Sequence, residues 1–170
     1  EPYLNPDFLK MVDSANRHHI YTITSTNAHY LSEENAKQTV LSKLDKLIIS
    51  VDGITQEVYE RYRVGGSFNK VIDGTKEILR QKALLKTKTP HVVWQFVVFK
   101  RDESQVDAVK KLGKHVGVSE VKIETAQVYD FENVNEKGLE SSDELGEHDH
   151  IYIFYTKNTP KISMEVLSKI

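Results

Sequence analysis

Two short apolar runs constrain this sequence most: Leu47-Ile48-Ile49-Ser50-Val51 and the nine residues from His91 to Phe99, HVVWQFVVF. Both are rich in β-branched and aromatic residues and too short for buried helices, so they read as strands buried on both faces. Helical patterns separate them. Strands that alternate with helices imply a parallel sheet with right-handed crossovers.

The same alternation runs through the rest of the chain. Asn5-Pro6-Asp7 reads as a helix start, with a capping amide, a proline at the first position and then an acid. Phe8, Leu9, Met11, Val12 and Ala15 follow at one-face spacing. Ile20 to Ser25 reads as a strand. Ser32-Glu33-Glu34 opens a second helix with Ala36, Val40, Leu41 and Leu44 on one face. After the turn at Asp52-Gly53, a short helix is expected over Thr55 to Arg63, broken by Gly65-Gly66. Ser67 caps a long helix that turns Phe68, Val71, Ile72, Thr75, Ile78 and Leu79 inward. Val106, Val109, Leu112 and Val116 mark another helix, closed by Gly117, and Val118 to Tyr129 is the next strand. Residues 1–129 thus read α-β-α-β-α-α-β-α-β. This is an α/β chain whose strand spacing suits a (β/α) barrel with missing members. No internal repeat points to a solenoid.

A length of 170 residues suits one domain. The charge is nearly balanced, 23 basic against 25 acidic residues, which argues against a broadly basic nucleic-acid binder. No apolar run is long enough to span a membrane. The first residues, Glu1-Pro2-Tyr3-Leu4, have neither the basic nor the apolar region of a signal peptide, and a cytoplasmic location is expected. The lack of an initiating Met suggests a piece cut from a longer chain. The cysteine count is zero, which excludes disulfides, thiolate zinc sites, a cysteine nucleophile and an iron–sulfur cluster held by this chain's own thiolates. Residues 131–150 form an acidic stretch that reads as a linker, and 151–170 as a tail with one further strand at Ile151 to Tyr155 and a weak amphipathic end.

In parallel α/β sheets, ligands bind beyond the carboxyl ends of the strands. The residues there are Thr26-Asn27, Ser50 and Asp52, Lys100-Arg101, and Gln127-Tyr129-Asp130. Asp52 can accept hydrogen bonds from a ribose or an amine, or can be a turn aspartate before Gly53. Asn27 can fix a ligand through its amide or simply tolerate a left-handed turn. Arg63 suits a carboxylate, though an isolated helix arginine is more often solvated. Gln95 reads as a buried amide with internal partners. Gly65-Gly66-Ser67 can offer backbone N–H groups to an anion, but it lacks the lysine of a phosphate loop. His18-His19 read as helix-end caps rather than metal ligands, and His148 and His150 as solvated. No Ser–His–Asp triad or HExxH motif can be assembled.

Four pieces, in order, carry a likeness: Glu1-Pro2-Tyr3-Leu4-Asn5-Pro6, Ser25-Thr26-Asn27, Leu47 to Gly53 (LIISVDG), and Tyr62-Arg63-Val64-Gly65-Gly66-Ser67-Phe68. With them, residues 1–130 resemble the core of radical S-adenosylmethionine (radical SAM) enzymes, nearest the branch that often carries a C-terminal SPASM-type cluster domain. The resemblance implies a partial TIM-like barrel with parallel strands, spanning family strands three to six and truncated on the N-terminal side. It also implies an enzyme that uses a [4Fe–4S] cluster to cleave S-adenosylmethionine reductively and abstract hydrogen from a peptide or protein substrate. Such an enzyme would be a maturase or a glycyl-radical-enzyme activator. Glu1 resembles the last residue of the motif that receives the S-adenosylmethionine amine, and Ser50 and Asp52 lie on the strand that contacts its ribose or methionine moiety. Arg63 resembles the arginine that pairs with its carboxylate, and Asn27 faces the same cavity. Strand 118–129 would line the adenine side.

The departure from the family is the missing CxxxCxxC loop, so the isolated piece is expected to be inactive, with self-association through an exposed sheet edge. Two other readings stand beside this one. One is a cysteine-free binding module. The other is an unrelated aldolase-like barrel using Asp52 with Lys100 or Lys122.

Overall fold

The computed structural model describes residues 1–98, 100–127 and 151–152. The expected linker 131–150, the tail beyond Tyr152 and the strand ends at Phe99 and Tyr129 lie outside the described residues.

Ten elements and two 3₁₀ turns follow one another in the order the sequence implies. They are α1 (Phe8–Arg17), β1 (Ile23–Thr26), α2 (Glu33–Leu41), β2 (Lys46–Ser50), α3 (Gln56–Tyr62), α4 (Phe68–Leu84), β3 (His91–Val98), α5 (Val106–Val116), β4 (Glu120–Gln127) and β5 (Ile151–Tyr152). The 3₁₀ turns are Pro2–Leu4 and Lys100–Gln105. Strands β1 to β4 pair in sequence order and all in parallel. The two residues of β5 extend the sheet in parallel beside β4. The described sheet is open, a part of a TIM-like barrel.

Local chemistry explains most helix boundaries. The hydroxyls of Ser32, Thr55 and Ser67 each accept the N–H three residues on, from Asn35, Val58 and Lys70, as N-caps do. Helix α5 stops at Gly117, whose φ of 93° closes the last turn in a conformation other residues resist.

The first two elements start later than their patterns suggest. Asn5 does not cap α1; its Oδ1 accepts the Asp7 N–H at 2.9 Å in a local turn, and the helix begins at Phe8. Strand β1 begins at Ile23 rather than Ile20. The Ile20 N–H is taken by Ala15 O to close α1, and Thr22 is tied through its N–H and hydroxyl to Asp45 before pairing starts. Met11 and Leu41, expected inward, are exposed.

The helices cover one face of the sheet. Leu47, Ile49, Val92, Trp94, Phe96 and Val98 pack there with Val71 and Ile78 of α4 and Val109 of α5. Trp94 Nε1 donates to Thr75 Oγ1 at 3.1 Å, satisfying the one polar atom of the largest buried side chain.

On the other face Val93 and Val97 are buried, as expected of a strand buried on both sides, but polar side chains stand among them. Strand residues alternate faces, and the register aligns Ser50 with Gln95 and Gln95 with Lys122. Ser50, Gln95, Lys122 and Glu124 therefore share the face away from the helix-side core. Glu124 is 1% exposed. Its Oε1 lies 2.5 Å from Lys122 Nζ, yet among the described residues neither carboxylate oxygen receives a directed hydrogen bond. The ion pair is what offsets the desolvation of this carboxylate. Lys122→Met should thus lower the unfolding free energy by about 2–3 kcal/mol, less than for a fully buried pair because Lys122 is part-exposed. Adding Glu124→Gln should recover part of that loss, which urea titrations of the three proteins will show.

Candidate functional site at the carboxyl edge of the sheet

Because all four long strands run in parallel, the segments that leave them emerge along one edge. Asn27 follows β1 and Asp52 follows β2 there. Behind β2, Gly53 lets α3 approach closely: a Cβ at this position would lie 2.4 Å from the Tyr59 backbone nitrogen. The loop after β2 is also tied toward β3, since the Ile54 N–H donates to Gln105 Oε1 at 3.2 Å.

This packing brings Arg63, the last residue of α3's turn, back over the end of β2. Its Nε donates to Asp52 Oδ2 at 2.6 Å. The Asp52 side chain is 11% exposed and the Arg63 side chain 40%. Asp52 is therefore more than a turn residue, and Arg63 is not a solvated helix arginine. The pair holds a guanidinium, the natural partner of a carboxylate, at the sheet edge.

A second knot fixes the end of β1. The Thr26 hydroxyl lies 2.8 Å from Glu1 Oε1 and 3.0 Å from Oε2, and the Asn27 N–H donates to Oε2 at 3.0 Å. Asn27 Oδ1 accepts the His29 N–H, and the Thr26 hydroxyl oxygen accepts the Ala28 N–H. Ala28 sits at φ 63°, a strained conformation for a residue with a Cβ. Tyr3, just after Glu1, is locked to Thr39 of α2 at 2.9 Å. Burial pushes the Tyr3 phenol up to about 12; the Thr39 contact pulls the other way and the Glu1 charge adds to the rise.

Between the two knots lies a cleft of about 400 Å³ lined by Asn27, His29, Tyr30, Tyr59, Arg63, Val64, Gly65, Gly66 and Lys70. Of the five residues singled out in the sequence, Asn27 and Arg63 line it. Asp52 reaches it through Arg63, and Glu1 through Asn27. Ser50 does not line it; it lies on the sheet face away from the helix-side core, beside Gln95.

The Gly65-Gly66-Ser67 turn is not an open anion cradle. The Gly66 N–H donates to Arg63 O, the Ser67 N–H to His29 Nε2 and the Phe68 N–H to Gln56 Oε1. His18 Nδ1 lies 2.8 Å from Ser14 O, the helix-end role expected of it. Among the described residues, no group of three or more His, Asp or Glu is placed to hold a metal, and no helix is long and apolar enough to cross a membrane.

Three cleft residues, His29, Tyr59 and Lys70, were not legible as site residues. Tyr59 and Lys70 read as ordinary helix positions. His29 stands in a loop whose partner, Ser67, is 38 residues away.

No protein-family model matches the sequence. The mycofactocin maturase MftC of Mycobacterium tuberculosis is 29% identical over 119 residues, which are 70% of this chain and 29% of that protein. The probable GTP 3',8-cyclase of Saccharolobus islandicus is 25% identical over 121 residues, 71% of this chain and 37% of that protein. The chain thus spans about a third of the length of these curated relatives. Among solved structures, native anSMEcpe with bound AdoMet and Kp18Cys peptide superimposes with a TM-score of 0.64 at 19% identity, over 82% of this chain and 39% of that one. This last likeness is one of fold.

The tight approach at Gly53 is directly testable. Gly53→Ala should displace α3, separate Arg63 from Asp52 and lower stability by about 1–3 kcal/mol, the usual cost of overpacking. Thermal unfolding, together with the loss of the Arg63 Nε–H resonance shift caused by Asp52, is the measurement.

Proposed function

We propose that this chain is part of a radical SAM enzyme and forms the S-adenosylmethionine-binding part of its barrel. The observation that carries this reading is the meeting of Arg63, Asp52 and Asn27 at one edge of a parallel sheet, with Glu1 bonded behind Asn27.

The donor set fits the ligand. Arg63 offers a guanidinium to the methionine carboxylate, with Asp52 holding it in place. Glu1 binds Thr26 and Asn27, but a carboxylate has about four lone-pair sites, so acceptor capacity remains for the ligand's ammonium. Asp52, at the end of β2, can also accept from a ribose hydroxyl, while Ser50, on the sheet face beside Gln95, lies off the cleft. Asn27 faces the same cleft with its carbonyl and amide already oriented by His29. When bound, S-adenosylmethionine supplies the group that abstracts hydrogen in this family.

A [4Fe–4S] cluster does not fit the residues present. The chain has no cysteine, so the thiolates such a cluster needs must come from elsewhere. The whole enzyme, in this reading, is a cytoplasmic oxidoreductase of the maturase or activating type acting on a peptide or protein. Solved anSMEcpe with bound peptide supports that substrate class. The isolated chain binds S-adenosylmethionine without cleaving it.

The decisive comparison is iron–sulfur reconstitution and S-adenosylmethionine cleavage by this chain and by the full-length protein that contains it. Cluster absorbance and 5′-deoxyadenosine should come from the full-length protein alone. Cluster formation in neither would overturn the reading. In the same proteins, Arg63→Ala should weaken S-adenosylmethionine binding at least tenfold, the loss of roughly one charge-assisted pair.

A further inference from the structure

His29 makes two hydrogen bonds through its ring nitrogens, and their chemistry fixes its protonation. Nδ1 lies 2.9 Å from Asn27 O. A carbonyl only accepts, so Nδ1 carries the hydrogen. Nε2 accepts the Ser67 N–H at 2.9 Å. A backbone N–H only donates, so Nε2 carries none. The ring is the neutral Nδ1–H tautomer, set by its partners. It also stacks on Tyr59, with ring centroids 6.1 Å apart and planes 20° apart.

These contacts join two segments of the cleft wall, beside the close packing of Gly74 of α4 on Ala28. One is the loop after β1, carrying Asn27. The other is the turn that carries Arg63 into α4. Adding a proton to Nε2 would set one donor against another and break the link to Ser67.

We infer that His29 is a positioning residue: its neutral ring latches the Asn27 loop to the start of α4, and protonation of the ring opens the ligand cleft. This deepens the proposed reading of the cleft and rests on it for the identity of the ligand. The charged and titratable groups around the ring are Arg63 and Tyr59 from α3, Lys70 from α4 and Tyr30 from its own loop. Glu1 acts on the loop through the Asn27 N–H. No carboxylate lines the cleft among the described residues. The sign of the effect is therefore diagnostic. A third cation beside Arg63 and Lys70 would by Coulomb attraction strengthen the binding of a carboxylate-bearing ligand at low pH. Loss of the latch weakens it.

The test uses the chain itself. Long-range proton–nitrogen spectra of the histidine rings should show His29 as the Nδ1–H tautomer at about pH 8, and the Ser67 amide resonance should shift as His29 titrates. S-adenosylmethionine, as the probe, should bind about tenfold more weakly at about pH 5.5 than at pH 8, the effect of roughly one hydrogen bond. In His29→Gln, whose side-chain oxygen can still accept from Ser67 but does not titrate, this pH dependence should flatten. An Nε2–H tautomer, a Ser67 amide indifferent to the titration, or an unchanged pH dependence in the variant would overturn the latch. If S-adenosylmethionine binds at no pH, the proposed ligand is wrong. The tautomer and the Ser67 titration in the unmutated chain then still decide whether the latch exists.

Discussion

The parallel register from β1 to β4 is the constraint on which the rest of the molecule depends. It places the carboxyl ends of the strands on one edge, so the short loops that follow them converge whatever their sequences. The helix-side core of Leu47, Ile49, Trp94 and Phe96 fixes that register, because a slip of one residue would turn every strand's apolar set to the wrong face. The site follows from it. Asp52 leaves β2 where α3 folds back, and Asn27 leaves β1 where the Glu1 carboxylate can reach its N–H.

The polar groups at this edge are already paired with one another. Arg63 is held by Asp52, Asn27 by Glu1 and His29, and the glycine turn by His29 and Gln56. A ligand at this edge would exchange and extend existing hydrogen bonds rather than fill a bare pocket. Such preorganisation lowers the ordering cost of binding, since the side chains are fixed beforehand. Ala28, held at a left-handed φ in the middle of the loop, shows that the surroundings impose this geometry.

Much of the fold was legible because its signals are local. The hydroxyl caps at Ser32, Thr55 and Ser67 and the glycine after α5 act within one helical turn of themselves. Where the sequence misled, a competing hydrogen-bond partner had decided. Ile20 and Tyr21 have strand-like side chains, but the Ile20 amide closes α1 instead. The polar side of β4 was visible in principle: Glu120, Lys122 and Glu124 alternate with Val121 and Ile123, the period of a half-buried strand. The continuous apolar runs of β2 and β3 drew attention from it. At the site, Asp52 and Arg63 were each nameable, but their contact needed the fold of α3. His29 carried no local signal, since its meaning lies in Ser67, which only the packing of α4 brings near.

The most direct test of this picture is a crystal structure of the chain grown with S-adenosylmethionine. The ligand should lie at the carboxyl edge between the ends of β1 and β2, its carboxylate on Arg63 and its ammonium toward Glu1. A ligand bound away from Arg63 and Asp52, or none at saturating concentration, would contradict the assignment of this edge as the binding site.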